Sequence, residues 1–235
     1  MFRILALSAA LCAVTFAQSL KDLDFPGNLN PGDPIVIGML GGFERWNDEH
    51  RGVRKLVLKL RDVPGAHAES FANRSRRLAL KYILRALDTD RNRKLDVQEK
   101  QRANVVLFGQ SLGGAQVVAL ARDLNRRGVP VQLTVQVDSF GLRDAVIPSN
   151  VRRAANYFQR ELFTLWGVDE IRAADSSKTK ILANVQFHYP PFLPSYSQPE
   201  SWPRRKLGGA HAKLEADPIL WAQVETMIRQ AIAEK

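Results

Sequence analysis

The chain has 235 residues, 45% of them hydrophobic and 25% charged, with a formal net charge of +10. That length holds one sizeable core and is short for two, and the balance excludes wholesale disorder. Cys12 is the only cysteine. An intrachain disulfide is therefore excluded, and because Cys12 falls in the leader read next, so are a cysteine nucleophile and a thiolate metal site.

Residues 1–17 read as a secretory signal peptide. Met1-Phe2-Arg3 gives a positive start, Ile4 to Phe16 an apolar run too short to span a bilayer comfortably, and Thr15-Phe16-Ala17 the small residues of a cleavage site after Ala17. The expected location is secreted or periplasmic. Residues 18–33 form an N-terminal extension, and 34–235 a single domain.

Within that domain strand and helix patterns alternate. Pro34 to Leu40 is an apolar run ending in Gly41-Gly42, which predicts a buried parallel strand. Asn47 to Arg61 has helical spacing and stops at Pro64-Gly65. Ala66 to Phe71 predicts a second strand, and Arg74 to Leu87 a helix with a wide apolar face. A polar loop follows at 88–101. Asn104 to Phe108 predicts a strand, Leu112 to Arg126 a helix ending before Gly128, and Val131 to Val137 a strand. Asn150 to Leu165 predicts a helix, and Ile181 to Phe187 a last strand. The segment 189–209 holds five prolines and no periodicity, an irregular, lid-like connection. Pro218 to Ile232 closes the chain as an amphipathic helix with proline in its first turn. The expected class is α/β, three layers, with a mostly parallel central sheet and helices on both faces.

The basic residues fall in scattered groups: Arg51 to Arg61, Arg74 to Arg77, Arg204 to Lys206. No basic stripe with interleaved aromatics is read, so no nucleic-acid partner is expected. The net charge predicts attraction to anionic envelope surfaces. Oligomeric state is left open.

Gly109-Gln110-Ser111-Leu112-Gly113 fits G-x-S-x-G. The motif carries chemistry when a buried strand enters it and a helix leaves it, because the glycines then turn the chain so sharply that the serine hydroxyl stands above the strand end. Asn104 to Phe108 enters here and the helical run from Leu112 leaves. The stretch VVLFGQSLGGAQVVALA resembles the nucleophile elbow of the α/β-hydrolase superfamily, in its lipase and esterase branch. Many relatives carry histidine where this chain has Gln110.

The resemblance implies a Ser-acid-His chain order, with the histidine on a late loop before the last helix. His211, in the loop Gly208-Gly209-Ala210-His211, fits; His188 is next, and His50 and His67 precede the elbow. Asp138, directly after the strand Val131 to Val137, is the expected acid. Asp144, Asp169 and Asp175 are the fallbacks. The oxyanion hole should combine the Leu112 N–H with the Gly42 or Phe43 N–H from the loop after the first strand.

Asp88 to Glu99 matches an EF-hand loop, with oxygens at Asp88, Asp90, Asn92, Asp96 and Glu99 and the Lys94 carbonyl at the seventh position. The glycine of the sharp turn is Arg93, and Arg91 and Lys94 add positive charge. The expectation is a structural calcium at most, with no cofactor required for chemistry. The leading function is a serine ester hydrolase acting on a small-molecule or lipid ester through an acyl-enzyme. An acyltransferase using the same triad, or a catalytically silent binding module on this fold, are the alternatives.

Overall fold

A computed structural model of the chain describes residues 18–23, 29–42, 44–160, 167–189 and 209–234. The expected leader at 1–17, Phe43 and most of the lid-like segment lie outside the described residues. The strands are β1 (Pro34–Leu40), β2 (His67–Ala72), β3 (Asn104–Gln110), β4 (Val131–Val137), β5 (Val146–Ile147), β6 (Val151–Gln159), β7 (Arg172–Ala173) and β8 (Lys180–Phe187). The helices are α1 (Gly52–Arg61), α2 (Arg76–Leu87), α3 (Val97–Gln101), α4 (Leu112–Asn125), α5 (Gly209–Ala216) and α6 (Pro218–Ala233).

Six strands form one sheet in the order β2-β1-β3-β4-β6-β8, with every pairing parallel. Strands β5 and β7 form a separate parallel pair. Successive residues of β1 point to opposite faces. Ile35, Ile37 and Met39 meet α2 and α4, and Val36 and Leu40 meet α1 and α6. β3 is buried along its whole length, which is why its sequence runs apolar without alternating. Burying Val105, Val106, Leu107 and Phe108 stabilises the fold by about 1.5–3 kcal/mol per side chain. At the edge, β8 alternates between exposed and half-buried positions. The result is the expected three-layer, α/β-hydrolase-like fold. Among the described residues no helix is long and apolar enough to cross a membrane.

The structure corrects the sequence reading in several places. The expected helix from Asn150 is instead strand β6 through Gln159, paired on both sides by β4 and β8. Two ladders of hydrogen bonds outweigh the helical preference of its alanines and arginines. Helix α1 begins at Gly52 and not at Asn47, because Asp48 folds the chain into a turn by accepting the His50 N–H while Arg51 N–H bonds the Asp48 carbonyl. The polar loop contains helix α3, started by a capping box between Asp96 and Glu99. His211 lies in the first turn of helix α5 and not in a loop. Ala210, Ala212 and Ala216 favour helix there, and Leu214 fixes it to the core.

Candidate active site

The carboxyl ends of β1, β3, β4 and β6 converge at one edge of the sheet, where folds of this class place ligands. Ser111 stands between β3 and α4 with φ 56° and ψ −127°, a left-handed backbone unusual for a side chain with a Cβ. Its N–H donates to the Val137 carbonyl at 2.9 Å, and its own carbonyl accepts from Gly114 at 2.9 Å and Phe140 at 3.1 Å. The turn is possible only with close packing beneath it. A Cβ on Gly113 would stand 2.0 Å from the Met39 carbonyl oxygen.

Asp138 follows β4 with φ 44° and is fully buried. One carboxylate oxygen accepts from the Gly167 N–H at 3.0 Å and the Gln159 N–H at 3.4 Å. The other accepts from the Gln159 side-chain amide at 3.1 Å and from His211 Nδ1 at 2.5 Å. A carboxylate on Nδ1 fixes the proton there, leaving Nε2 with the lone pair. Burial of the ring works against its charged form. The hydrogen bond and charge of Asp138, with added fields from Glu215 and Glu44, outweigh that and hold the His211 pKa above its ordinary 6.5.

The lone pair on Nε2 faces the Gln110 side-chain amide at 3.1 Å. Among the described residues the Ser111 hydroxyl has no hydrogen-bond partner. Gln110 thus lies against the ring at the position a nucleophile would use.

Gly41 abuts the elbow: a Cβ there would come within 2.7 Å of Gln110 Oε1 and 3.0 Å of Ser111 Cβ. The Gly41 N–H donates to the Glu44 carboxylate at 3.1 Å, and the Gly42 carbonyl accepts from Asn73. Among the described residues the Gly42 N–H has no partner, as an oxyanion donor requires. Leu112 N–H opens α4, where amides lack helical acceptors. Phe43, the other expected donor, lies outside the described residues.

Behind this loop Arg51 joins two elements. It contacts Glu44 at 3.4 Å, Asp48 at 3.2 Å and both oxygens of Glu215 at 3.0 and 3.1 Å. Glu215 lies one helical turn after His211, so the guanidinium ties the glycine loop to the helix bearing the histidine. Burial, with the charge of Glu215, pushes the Glu44 pKa up to about 8, although Arg51 and the Gly41 N–H pull it back.

The other candidates lie elsewhere. Asp144 accepts from Ser139 at 2.6 Å, Asp169 pairs with Arg160, and Asp175 accepts from Ser177. His50 and His188 are exposed, and His67 sits 3.7 Å from Asp33. Gln159, Gly167, Glu44, Arg51 and Glu215 were not singled out from sequence. At Gly167 a Cβ would meet the Asp138 backbone at 2.6 Å.

In the EF-hand-like loop, Asp88, Asp90 and Glu99 bring ligand oxygens within 4.8 Å of one another. The loop's other expected carboxylate, Asp96, does not join them. Asn92 turns its amide to Asp90, the Lys94 N–H bonds Asn92 Oδ1, and Asp96 caps α3. Glu99 already accepts from Thr89, Asp90 and Asp96. With three basic side chains in the loop, these residues fit a hard cation poorly.

No protein-family model and no curated protein matches the chain. Among solved structures it is similar to a cutinase-like protein from Cryptococcus sp., with 12% identity and a TM-score of 0.44 over 85% of this chain and 95% of that one. It is similar to the RedJ thioesterase of the prodiginine pathway in Streptomyces coelicolor, with 12% identity and a TM-score of 0.39 over 86% and 90%. A third is an acetylxylan esterase, with 12% identity and a TM-score of 0.38 over 86% and 100%. These are distant likenesses, and the chemistry of the site stands on its own residues.

Proposed function

We propose that this protein is an exported serine ester hydrolase with Ser111 as nucleophile, His211 as base and Asp138 as its partner. The observation that carries the reading is the 2.5 Å contact between His211 Nδ1 and the buried Asp138, set beside an elbow serine in a left-handed backbone.

Ser111 Oγ attacks the acyl carbonyl while its proton passes to His211 Nε2. The Leu112 and Gly42 N–H groups receive the oxyanion, and the imidazolium is stabilised by Asp138. Collapse of the tetrahedral intermediate sends the proton from Nε2 to the leaving alkoxide and leaves an acyl-enzyme. Water, deprotonated by the same nitrogen, releases the acid. Before attack the Gln110 amide must give up Nε2, so Gln110 holds the ring in its neutral form until substrate displaces it. Leu112 and Phe140 are exposed beside the serine and offer an apolar wall to an acyl group.

The silent binding module is favoured by one observation, the occupation of Nε2 by Gln110 and not by serine. The test is turnover of short-chain nitrophenyl esters by the chain from Gln18 onward, beside Ser111→Ala, with fluorophosphonate labelling of both. Turnover and labelling that vanish in the mutant support the hydrolase. Turnover that survives the mutation, or a wild type inert to ester and fluorophosphonate alike, sinks it. Export is tested separately: the secreted protein should begin at Gln18.

A further inference from the structure

We infer that the basic groove along α2 is a docking site for an extended, base-free polyanion such as an acidic polysaccharide. The groove, about 1610 Å³ in volume, lies between α2, the loop after it and the end of α4. The fold assembles it from residues that look scattered in sequence. Arg77, Lys81 and Arg85 are spaced four apart, so they form one exposed stripe along α2. Arg91, Arg93 and Lys94 add three exposed cations from the EF-hand-like loop. Lys100 and the α4 end contribute the rest, where Arg126 is paired with Asp123.

Asp88 is the only carboxylate among the described lining residues. The loop's carboxylates accept from backbone amides, Asp88 from Arg93, Asp90 from Asn92, and Glu99 from Thr89 and Asp96, with Glu99 buried and Asp90 and Asp96 exposed. Nine Lys and Arg residues against one carboxylate among the described lining residues give the groove an excess of positive charge, which an anion would neutralise.

Backbone strain points the same way. Among the described residues five non-glycines have positive φ. Two are Ser111 and Asp138, and two are Arg91 at 60° and Arg93 at 66°, the latter at the position where such loops take glycine. An arginine held where glycine would be unstrained is accounted for if its side chain is used.

The lining also selects among polyanions. Among the described lining residues the apolar members are leucines and one alanine, with no aromatic ring for a base to stack on. Its concavity fits a chain and not a flat bilayer. Within the groove, Arg126 and Arg127 lie about 20 Å from Ser111, one helix length along α4, whereas the start of α2 lies nearer to it. The inference rests on the groove's own charge and stands whether or not the ester-hydrolase reading does.

The experiment measures binding of heparin by titration calorimetry across a salt series, with single-stranded DNA and vesicles of 30% anionic phospholipid as the other probes. Heparin binding should weaken with salt, and Arg77→Glu/Lys81→Glu/Arg85→Glu should reduce affinity at least 30-fold at 50 mM salt and lower the slope of log Kd against log salt by about three. Arg93→Gly should weaken binding several-fold while raising the melting temperature, which separates lost affinity from lost folding. Salt-independent binding, a triple variant that binds like wild type, or tighter binding to DNA or vesicles than to heparin would overturn the inference.

Discussion

At Ser111 and Asp138 the backbone is held in left-handed conformations that glycine would adopt freely, and both residues keep side chains there. Charge at the imidazole follows from what flanks it. Asp138 favours the protonated ring and raises its pKa, so the acid limb of kcat/KM should lie above pH 6.5. Asp138→Asn removes that pull: the limb should move to lower pH while kcat falls about 10⁴-fold. Gln110 acts in the opposite sense, because its amide donates only to the neutral ring. Gln110→Met should therefore move the limb to higher pH, and profiles of the three proteins from pH 5 to 9 should fan out in that order. Glu44 sets a second pH dependence. Its pKa is about 8 in the fold against 4.5 when unperturbed, so between these values the folded state holds a proton that the unfolded chain releases. Stability is full below pH 4.5 and drains as pH rises through 8. Urea midpoints should show a loss of about 4 kcal/mol between pH 5 and 8 that Glu44→Gln largely removes; parallel profiles for the two proteins would refute the assignment.

Among the elements, α5 bears the most on activity. It brings His211 to Asp138, and Leu214 is the one fully buried side chain among its described residues. Leu214→Ala should cost about 2–3 kcal/mol in a denaturation curve and lower kcat more than it raises KM, because the ring loses its fixed seat. The EF-hand-like loop is a self-capped turn whose carboxylates are already engaged. Adding 5 mM calcium or 1 mM chelator should leave the melting temperature within about 1 °C, whereas a rise of several degrees with calcium would place a cation on Asp88, Asp90 and Glu99. The elements legible in sequence were those whose pattern is local. Strands β1, β3 and β4 announce themselves as apolar runs, and the elbow as glycines between a strand and a helix. Strand β6 was not legible, because its short side chains read as helix until β4 and β8 are placed on either side of it. Helix α5 was hidden by the two glycines before His211, which suggest a loop to any local reading.

Across the whole molecule, what the sequence could not show is what depends on distance along the chain. Gln110 and His211 meet across 101 residues and Asp138 and His211 across 73. The order Ser-Asp-His suggested the partners, but no local pattern announces that glutamine would occupy Nε2, or that Arg51 would clasp Glu215 from 164 residues away. The cationic stripe on α2 was present as a spacing of four and passed for solvated surface until the loop and the end of α4 were seen beside it. The all-parallel sheet has a kinetic consequence. No neighbouring pair within the six-stranded sheet can close as a hairpin, so each must wait for a crossover to be traversed, and such high contact order makes folding slow, on a scale of milliseconds to seconds. His211, the proposed base, lies on helix α5 after the last strand of the sheet, 100 residues after Ser111 on the strand-to-helix turn following β3. Recovery of ester cleavage during refolding should thus lag behind recovery of secondary structure, and a chain whose final two helices have not docked would be compact yet inert.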